Sequence, residues 1–355
     1  MSTLTPNTKP TSGRNPVEPV KTGGESKSTS DEPVYGSRWP HRVACLMTAI
    51  IFPLIWVGNL VTTADAGMAV PDWPNTYGYN LFLYPYHEWF FGPWDLFVEH
   101  GHRLLASLSG LVAIMLVFVS FGSEKRGWVR WLSVAILGLV IFQGVLGGIR
   151  VVYDARWVAK VHGCIGPAFF AAAVAFCVVT SRWWMKKHGS LDSELKPRRG
   201  SWISCTAIAL LLVSYMQLCL GAFIRHIDDT ASPKQFTLLV ALHVMTAIML
   251  VLGTLFQFYL TRGRGLAGAG VRASINMLTL LILVQFSLGL GTWVMKWGWP
   301  SWFDNLEMAA NFVILEKSFL QINVVTAHAA IGSLILAFWV VQALRTNRFF
   351  AAVSG

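Results

Sequence analysis

Charge is what this chain has least of. Only 13% of its 355 residues are Asp, Glu, Lys or Arg, about half the share of an ordinary soluble domain. With 54% hydrophobic residues and a mean hydropathy of +0.52, a fold wetted on all sides is excluded. Cysteine is also scarce. The five cysteines, Cys45, Cys164, Cys177, Cys205 and Cys219, lie in or at the ends of apolar runs, and none forms a Cys-x-x-Cys. That argues against a disulfide framework or a zinc site and predicts small buried apolar side chains. Between Thr63 and Glu99 there is no Lys or Arg at all.

The formal net charge is +10, which suggests nucleic acid until the charges are placed. They flank apolar runs, so topology is the better explanation and no nucleic-acid partner is expected. Eight runs are near the ~20 residues needed to cross a bilayer. They fall at about 42–63, 100–121, 129–150, 159–181, 202–224, 237–260, 272–295 and 322–344. The expected fold is therefore an all-α membrane protein whose eight transmembrane helices form two pseudo-repeated four-helix bundles. A polar, aperiodic tail, 1–41, precedes the first half at 42–182. A linker at 183–201 leads to the second half at 202–345, and a tail at 346–355 follows.

Most of the 28 Lys and Arg lie in the first tail, in the links after the second, fourth and sixth runs, and at the C-terminus. Both termini are therefore expected in the cytoplasm of a bacterial plasma membrane. The opposite side carries aromatic stretches such as VPDWPNTYGYNLFLYPYHEWFFGPWD and KWGWPSWFD, which suit a membrane interface.

The runs also repeat. Each odd run ends in a patch of small or amide residues: GNLVTTADAG, FQGVLGGIR, MQLCLGAFIR and QFSLGLG. Each even run then begins with a histidine: His102, His162, His243 and His328. Asn59 stands as far before His102 as Gln285 does before His328. Small residues let helices approach closely, and repeated units in membrane proteins carry sites near their interface.

Under this topology the four imidazoles lie at one depth. Neutral imidazole is a strong ligand for haem iron, and bundle cores hold such cofactors. Two sites are expected, His102 with His162 and His243 with His328. His41, His188 and His226 lie at ends or loops and are expected to be solvated. His87 is expected to be structural. His100 is the rival to His102. Glu99, however, shares a helix face with His102, three residues on, and not with His100. Beside an iron ligand Glu99 would move protons or position water; its plainer role is a salt bridge to Arg103. Arg150 and Arg225 suit haem propionates or ordinary interfacial positions equally.

The stretches GNLVTTADAGMAVPDWPNTYG and EHGHRLLAS, together with His162, His243 and His328 in their runs, resemble the haem A synthase family. The resemblance covers about residues 42–344, and Glu99, His102 and Arg103 match the family's Glu-x-x-His-Arg. It implies that the first half takes haem O as substrate and the second holds haem B as cofactor. The reaction would oxidise a ring methyl of haem O to a formyl group, with Glu99 as catalytic acid, giving haem A for a terminal oxidase. It further implies a haem O donor enzyme, an oxidase and an unidentified electron donor as partners. The cysteine pair that some members carry in the first outer segment is absent between Thr63 and Glu99, and Asn59, Asp65 and Ala66 depart from the family pattern. Two other readings use the same histidines. One is a dihaem b-type cytochrome passing electrons from quinol; the other is a haem transporter or chaperone.

Overall fold

The computed structural model describes residues 37–186, 197–228, 230–262, 270–303, 305 and 307–354. Most of the expected N-terminal tail, the middle of the linker and His188 lie outside them. Among the described residues there is no strand. Eight helices are long and apolar enough to cross a membrane. They are α1 (Trp39–Thr63), α2 (Trp94–Ser123), α3 (Gly127–Tyr153), α4 (Arg156–Val179), α5 (Pro197–Arg225), α6 (Pro233–Leu260), α7 (Val271–Trp297) and α8 (Phe319–Ser354).

Local chemistry sets the ends. Pro40 stands in the first turn of α1, where its missing N–H costs nothing. Ser232 and Gln235 start α6 with a reciprocal capping box. After α1, Asp65 adopts φ +60°. The Ala66 amide then returns to the Val61 carbonyl (2.8 Å) and the Asp65 amide to Thr62 (3.3 Å). This is the closing pattern usually given to glycine, and it accounts for Asp65 and Ala66 at a turn otherwise rich in small residues.

Three expectations change. Helix α2 starts at Trp94, directly after Pro93, so the histidines stand about two to three turns inside their helices and not at the ends. The tail expected at 346–355 is instead helical to Ser354, the end of α8. The segment between α1 and α2 contains a short helix, Tyr86–Phe90.

In the first half α1 packs on α2 and α4, while α3 packs on α2 and α4, closing a four-helix ring. The second half closes the same way, with α5 on α6 and α8 and α7 on α6 and α8. Each ring has its own apolar core. One is built around Met47, Ile51, Leu116, Ile136 and Phe176, the other around Ile275, Leu278 and Trp339. The halves meet through α1 with α8, α4 with α8, and α4 with α5. Exchanging the halves maps this set of pairs onto itself, as two related units would require.

Polar latches cross the interface. Arg225 at the end of α5 donates Nη1 to Asn59 Oδ1 (2.6 Å) and Nη2 to the Asn59 carbonyl (2.6 Å) and the Thr63 hydroxyl. Thr326 on α8 also reaches Thr63 (3.2 Å). Lys160 pairs with Asp228 (2.6 Å) and Lys317 with Asp65 (3.2 Å). Asn59 thus supplies the acceptors that a guanidinium withdrawn from water requires.

These latches should differ in worth. Asn59→Leu removes one acceptor from a buried guanidinium, and hydrogen bonds to charged groups contribute about 1.5–3 kcal/mol. The Lys317–Asp65 pair is 60% and 80% exposed, and exposed pairs contribute about 0–1 kcal/mol. Thermal unfolding in detergent should show a clear drop in midpoint for Asn59→Leu and almost none for Lys317→Ala. Equal midpoints would mean that Arg225 does not hold the halves together.

Candidate functional site

Each of the four histidines lies against a glycine of the preceding helix. A methyl group built on Gly58 would stand 2.8 Å from Cε1 of His102. The corresponding distances are 3.5 Å for Gly147 and His162, 3.3 Å for Gly221 and His243, and 3.2 Å for Gly289 and His328. No larger residue fits at Gly58 without moving the ring. In each ring Nδ1 is buried and has no hydrogen-bond partner. His243 and His328 face each other with ring centres 6.4 Å apart and planes at 68°. His102 and His162 lie within electrostatic reach of each other in the first ring.

Glutamines fix three of the four. Gln143 donates Nε2 to the His162 carbonyl (3.1 Å) and Gln285 donates to that of His328 (2.9 Å). Both amides also fill the space over a glycine one turn on, Gly166 and Gly332. The Gln217 amide lies 3.2 Å from His243 Nε2 and accepts from Thr246. Each glutamine stands four residues before its cradle glycine. At the matching place before Gly58 the chain has Leu54, so His102 has no such amide.

The other members of Glu99-His100-Gly101-His102-Arg103 face a different task. Glu99 is 3% exposed, and both of its oxygens accept. Oε1 takes Arg103 Nη2 (2.7 Å) and Oε2 takes the Val70 amide (2.9 Å). Arg103 also donates to the carbonyls of Val70 (2.7 Å), Asp72 (2.6 Å) and Asn75 (2.9 Å). His100 is buried and meets Thr76 through Nδ1 (3.0 Å), with Tyr84 and Trp89 around its ring. These three side chains therefore bind the segment after α1 as a strap across the outer end of α2. His100 is a strap contact, not a rival partner for His162.

The strap has its own fixings. Asp72 accepts from the amides of Tyr77 and Gly78 (2.8 Å each). Burial pushes the Asp72 carboxyl up, but these two amides, its own backbone amide and the Arg103 charge together hold it below its ordinary value. Gly67 lies under the Arg150 guanidinium and Gly148 of α3 under the Trp73 ring, each too close for any side chain. Arg150 and Arg225, the two arginines with an open role, thus have protein contacts on this face.

Elsewhere the side chains differ from expectation. His41 is half-buried, not solvated, and its Nδ1 lies 3.0 Å from the Cys177 carbonyl. His226 is half-buried beside the end of α5. His87 is exposed and stacked between Tyr86 and Phe91. No cysteine is fully buried, and Cys45 and Cys205 are exposed.

Eight apolar helices in two rings, with two of the four histidines in each, define an integral membrane protein. Comparison with known proteins narrows the class. The profile of the COX15-CtaA family, described as cytochrome oxidase assembly protein, matches residues 94–242, from the start of α2 to the residue before His243. A protein named heme A synthase from Shouchella clausii (strain KSM-K16) is 26% identical over 184 residues, 51% of this chain and 57% of that protein. One of the same name from Shewanella oneidensis (strain MR-1) is 27% identical over 121 residues, 31% of this chain and 34% of that protein. Another, from Exiguobacterium sp. (strain AT1b), is 25% identical over 259 residues, 68% of this chain and 78% of that protein. The match thus spans about half or less of the first two relatives. Over residues 94–242 the chain is similar to the COX15-CtaA family.

The strap carries a test of the site's architecture. Arg103→Gln leaves the buried Glu99 carboxylate without its cation and frees three strap carbonyls. Breaking a buried pair costs about 3–5 kcal/mol, enough to raise local opening by about a hundredfold or more. Limited proteolysis should then cut within residues 66–85 at least tenfold faster than in the wild type. Unchanged cleavage would mean that the strap is held by other contacts.

Proposed function

We propose that this chain is a haem A synthase, an oxidoreductase that converts a ring methyl of haem O to a formyl group. The observation that carries the reading is two half-buried imidazoles inside each of two rings of related construction, with a glutamate, Glu99, one helical turn before only one of them, His102. The names borne by its relatives agree with it.

The residues fit haem. Metal–imidazole bonds of about 2.0–2.1 Å place two ring centres on opposite sides of one metal roughly 6 Å apart, close to the 6.4 Å between His243 and His328. The orphaned Nδ1 atoms belong to rings whose hydrogen bonding is incomplete without a ligand or a ring rotation. His243 and His328 would hold haem B, and His102 and His162 would bind haem O. When bound, haem B supplies one-electron transfer.

The protein's own residues would do the rest. The first ring holds the substrate with its methyl toward the strap end of α2. Each of two oxidations removes two electrons and two protons and adds one water oxygen, giving first the alcohol and then the hydrated aldehyde, which loses water. Glu99 is the base within reach of that edge. Its oxygens each accept one hydrogen bond, and a carboxylate oxygen has a second lone pair, so it can take a proton without leaving the strap. Val70, Asp72 and Asn75, held by Arg103, close the strap over the site and limit water. The one-electron transfer that these oxidations need would come from haem B, held by His243 and His328, together with the unidentified electron-transfer partner. A haem O donor enzyme and a terminal oxidase are the partners this chemistry requires. The Lys and Arg distribution supports cytoplasmic termini in a bacterial plasma membrane. On that reading both histidine pairs and the strap face the opposite side.

Two measurements test this reading. His243→Ala and His328→Ala should strip the purified protein of tightly bound haem B, while His102→Ala and His162→Ala keep it and lose haem O binding. Extracted pigments and reduced-minus-oxidised spectra report both. Loss of the same haem from all four variants would mean one site, not two.

Glu99→Gln keeps the shape but offers one acceptor where two are used, so it also loosens the strap. Arg103→Gln loosens the strap and keeps the carboxylate, which makes it the control. At matched protein levels Glu99→Gln should lose at least a hundredfold more haem A formation than Arg103→Gln, and leave haem O or the alcohol. Equal losses would make Glu99 a latch and remove it from the chemistry.

A further inference from the structure

Far from the strap, at the opposite end of the first ring, three side chains converge that the proposed reaction does not use. His41 and Cys45 are one turn apart and share a face of α1. Cys177 lies in the last turn of α4. The ligand atoms of the three fall within 4.8 Å of one another. Cys45 Sγ is 3.7 Å from His41 Nε2 and 3.1 Å from Cys177 Sγ. We propose that His41, Cys45 and Cys177 bind one thiophilic metal ion, Zn(II) or Cu(I), which ties the start of α1 to the end of α4.

The imidazole is set for this role. Its Nδ1 lies 3.0 Å from the Cys177 carbonyl. A carbonyl oxygen only accepts, so Nδ1 carries the proton and donates it there. Nε2 is left with its lone pair toward Cys45 Sγ, while Cys177 Sγ lies 3.9 Å from Nδ1 and comes to the ion from the other side of the ring edge. Metal-binding histidines are oriented in this way, by a carbonyl or carboxylate on the far nitrogen. The Thr180 hydroxyl, 3.5 Å from Nδ1, donates to the Phe176 carbonyl (2.7 Å) and lends the ring a second polar neighbour.

The donor set selects the ion. Two sulfurs and one nitrogen, with no carboxylate among them, suit Zn(II) or Cu(I) and reject Mg(II) and Ca(II). Zn–S bonds of about 2.3 Å and Zn–N bonds of about 2.0–2.1 Å place two sulfurs roughly 3.8 Å apart and sulfur from nitrogen roughly 3.5 Å. The Cys45–His41 separation already meets that. The two sulfurs must open by about 0.7 Å, a small side-chain rotation at Cys45, which faces outward. Two thiolates cancel the charge of Zn(II) and leave one net negative charge with Cu(I), which the exposed edge at Cys45 can leave in water. The same proximity would allow a Cys45–Cys177 disulfide, which would take both sulfurs from the metal.

The test uses the full-length protein in detergent, purified under reducing, oxygen-free conditions, stripped with a chelator and exchanged into chelator-free buffer. ZnCl2 and chelator-buffered Cu(I) are titrated separately, and bound metal is measured by mass spectrometry. Wild type should take up one equivalent more of one or both ions than Cys45→Ser, Cys177→Ser or His41→Gln, and Cys205→Ser should match wild type. The bound ion should slow alkylation of Cys45 and Cys177 at least tenfold by peptide mapping, with Cys205 unchanged. It should also raise the thermal midpoint of wild type but not of Cys45→Ser. Equal uptake by wild type and Cys45→Ser would overturn the proposal. So would a Cys45–Cys177 disulfide whose reduction yields no metal uptake.

Discussion

The structure depends on how closely its helices can approach. Four histidines enter positions where the neighbouring helix shows only a hydrogen atom, at Gly58, Gly147, Gly221 and Gly289. A lone imidazole among apolar helices is poorly solvated and must be held by packing or by a polar partner. The glycines make room for the ring, and the glutamines one turn before three of them supply the polar contact. The apolar cores then close around a spacing that the ring–backbone contacts have set.

Charge near the outer face follows the same economy of exposure. Glu99 is almost wholly buried, yet its carboxylate lacks neither cation nor donor. Arg103 turns three backbone carbonyls of an irregular segment inward, and non-helical backbone at this depth is tolerated only where protein satisfies it. The ion pair is therefore the condition under which a loop can lie over the ring at all. Arg225 plays the matching part between the halves, with Asn59 and Thr63 as its acceptors.

Much of this was legible in the chain. Run length and the rarity of charge yielded eight spans, and the histidine at a constant place in alternate runs singled out the four rings that lie against glycines. The regular spacing of Gln143 to Gly147, Gln217 to Gly221 and Gln285 to Gly289 was also open to view, inside patches noticed only for their small residues. Helix starts were missed because hydropathy fades where Trp94, Asp95 and Glu99 begin α2, although Pro93 marks the place. The partners of Glu99 and Arg225 were beyond reach. Val70 lies 29 residues from Glu99 and Asn59 lies 166 from Arg225, and no local rule links such positions. The same distance hid His41 from Cys177, which is why the cysteines read as inert.

The connections between helices are unequal in a way that gives each ring a stiff side and a soft one. Asp154 and Ala155 alone join α3 to α4, while the whole stretch from Ala64 to Pro93 joins α1 to α2. In the second ring the order is reversed: α5 and α6 are joined closely, and the long stretch lies between α7 and α8. The two long stretches meet where Lys317 reaches Asp65, next to the contact of Thr326 in α8 with Thr63 at the end of α1. The two-residue link ties α3 to α4, so the slack of the first ring lies on the α1–α2 side, under the clasp of the Glu99–Arg103 pair.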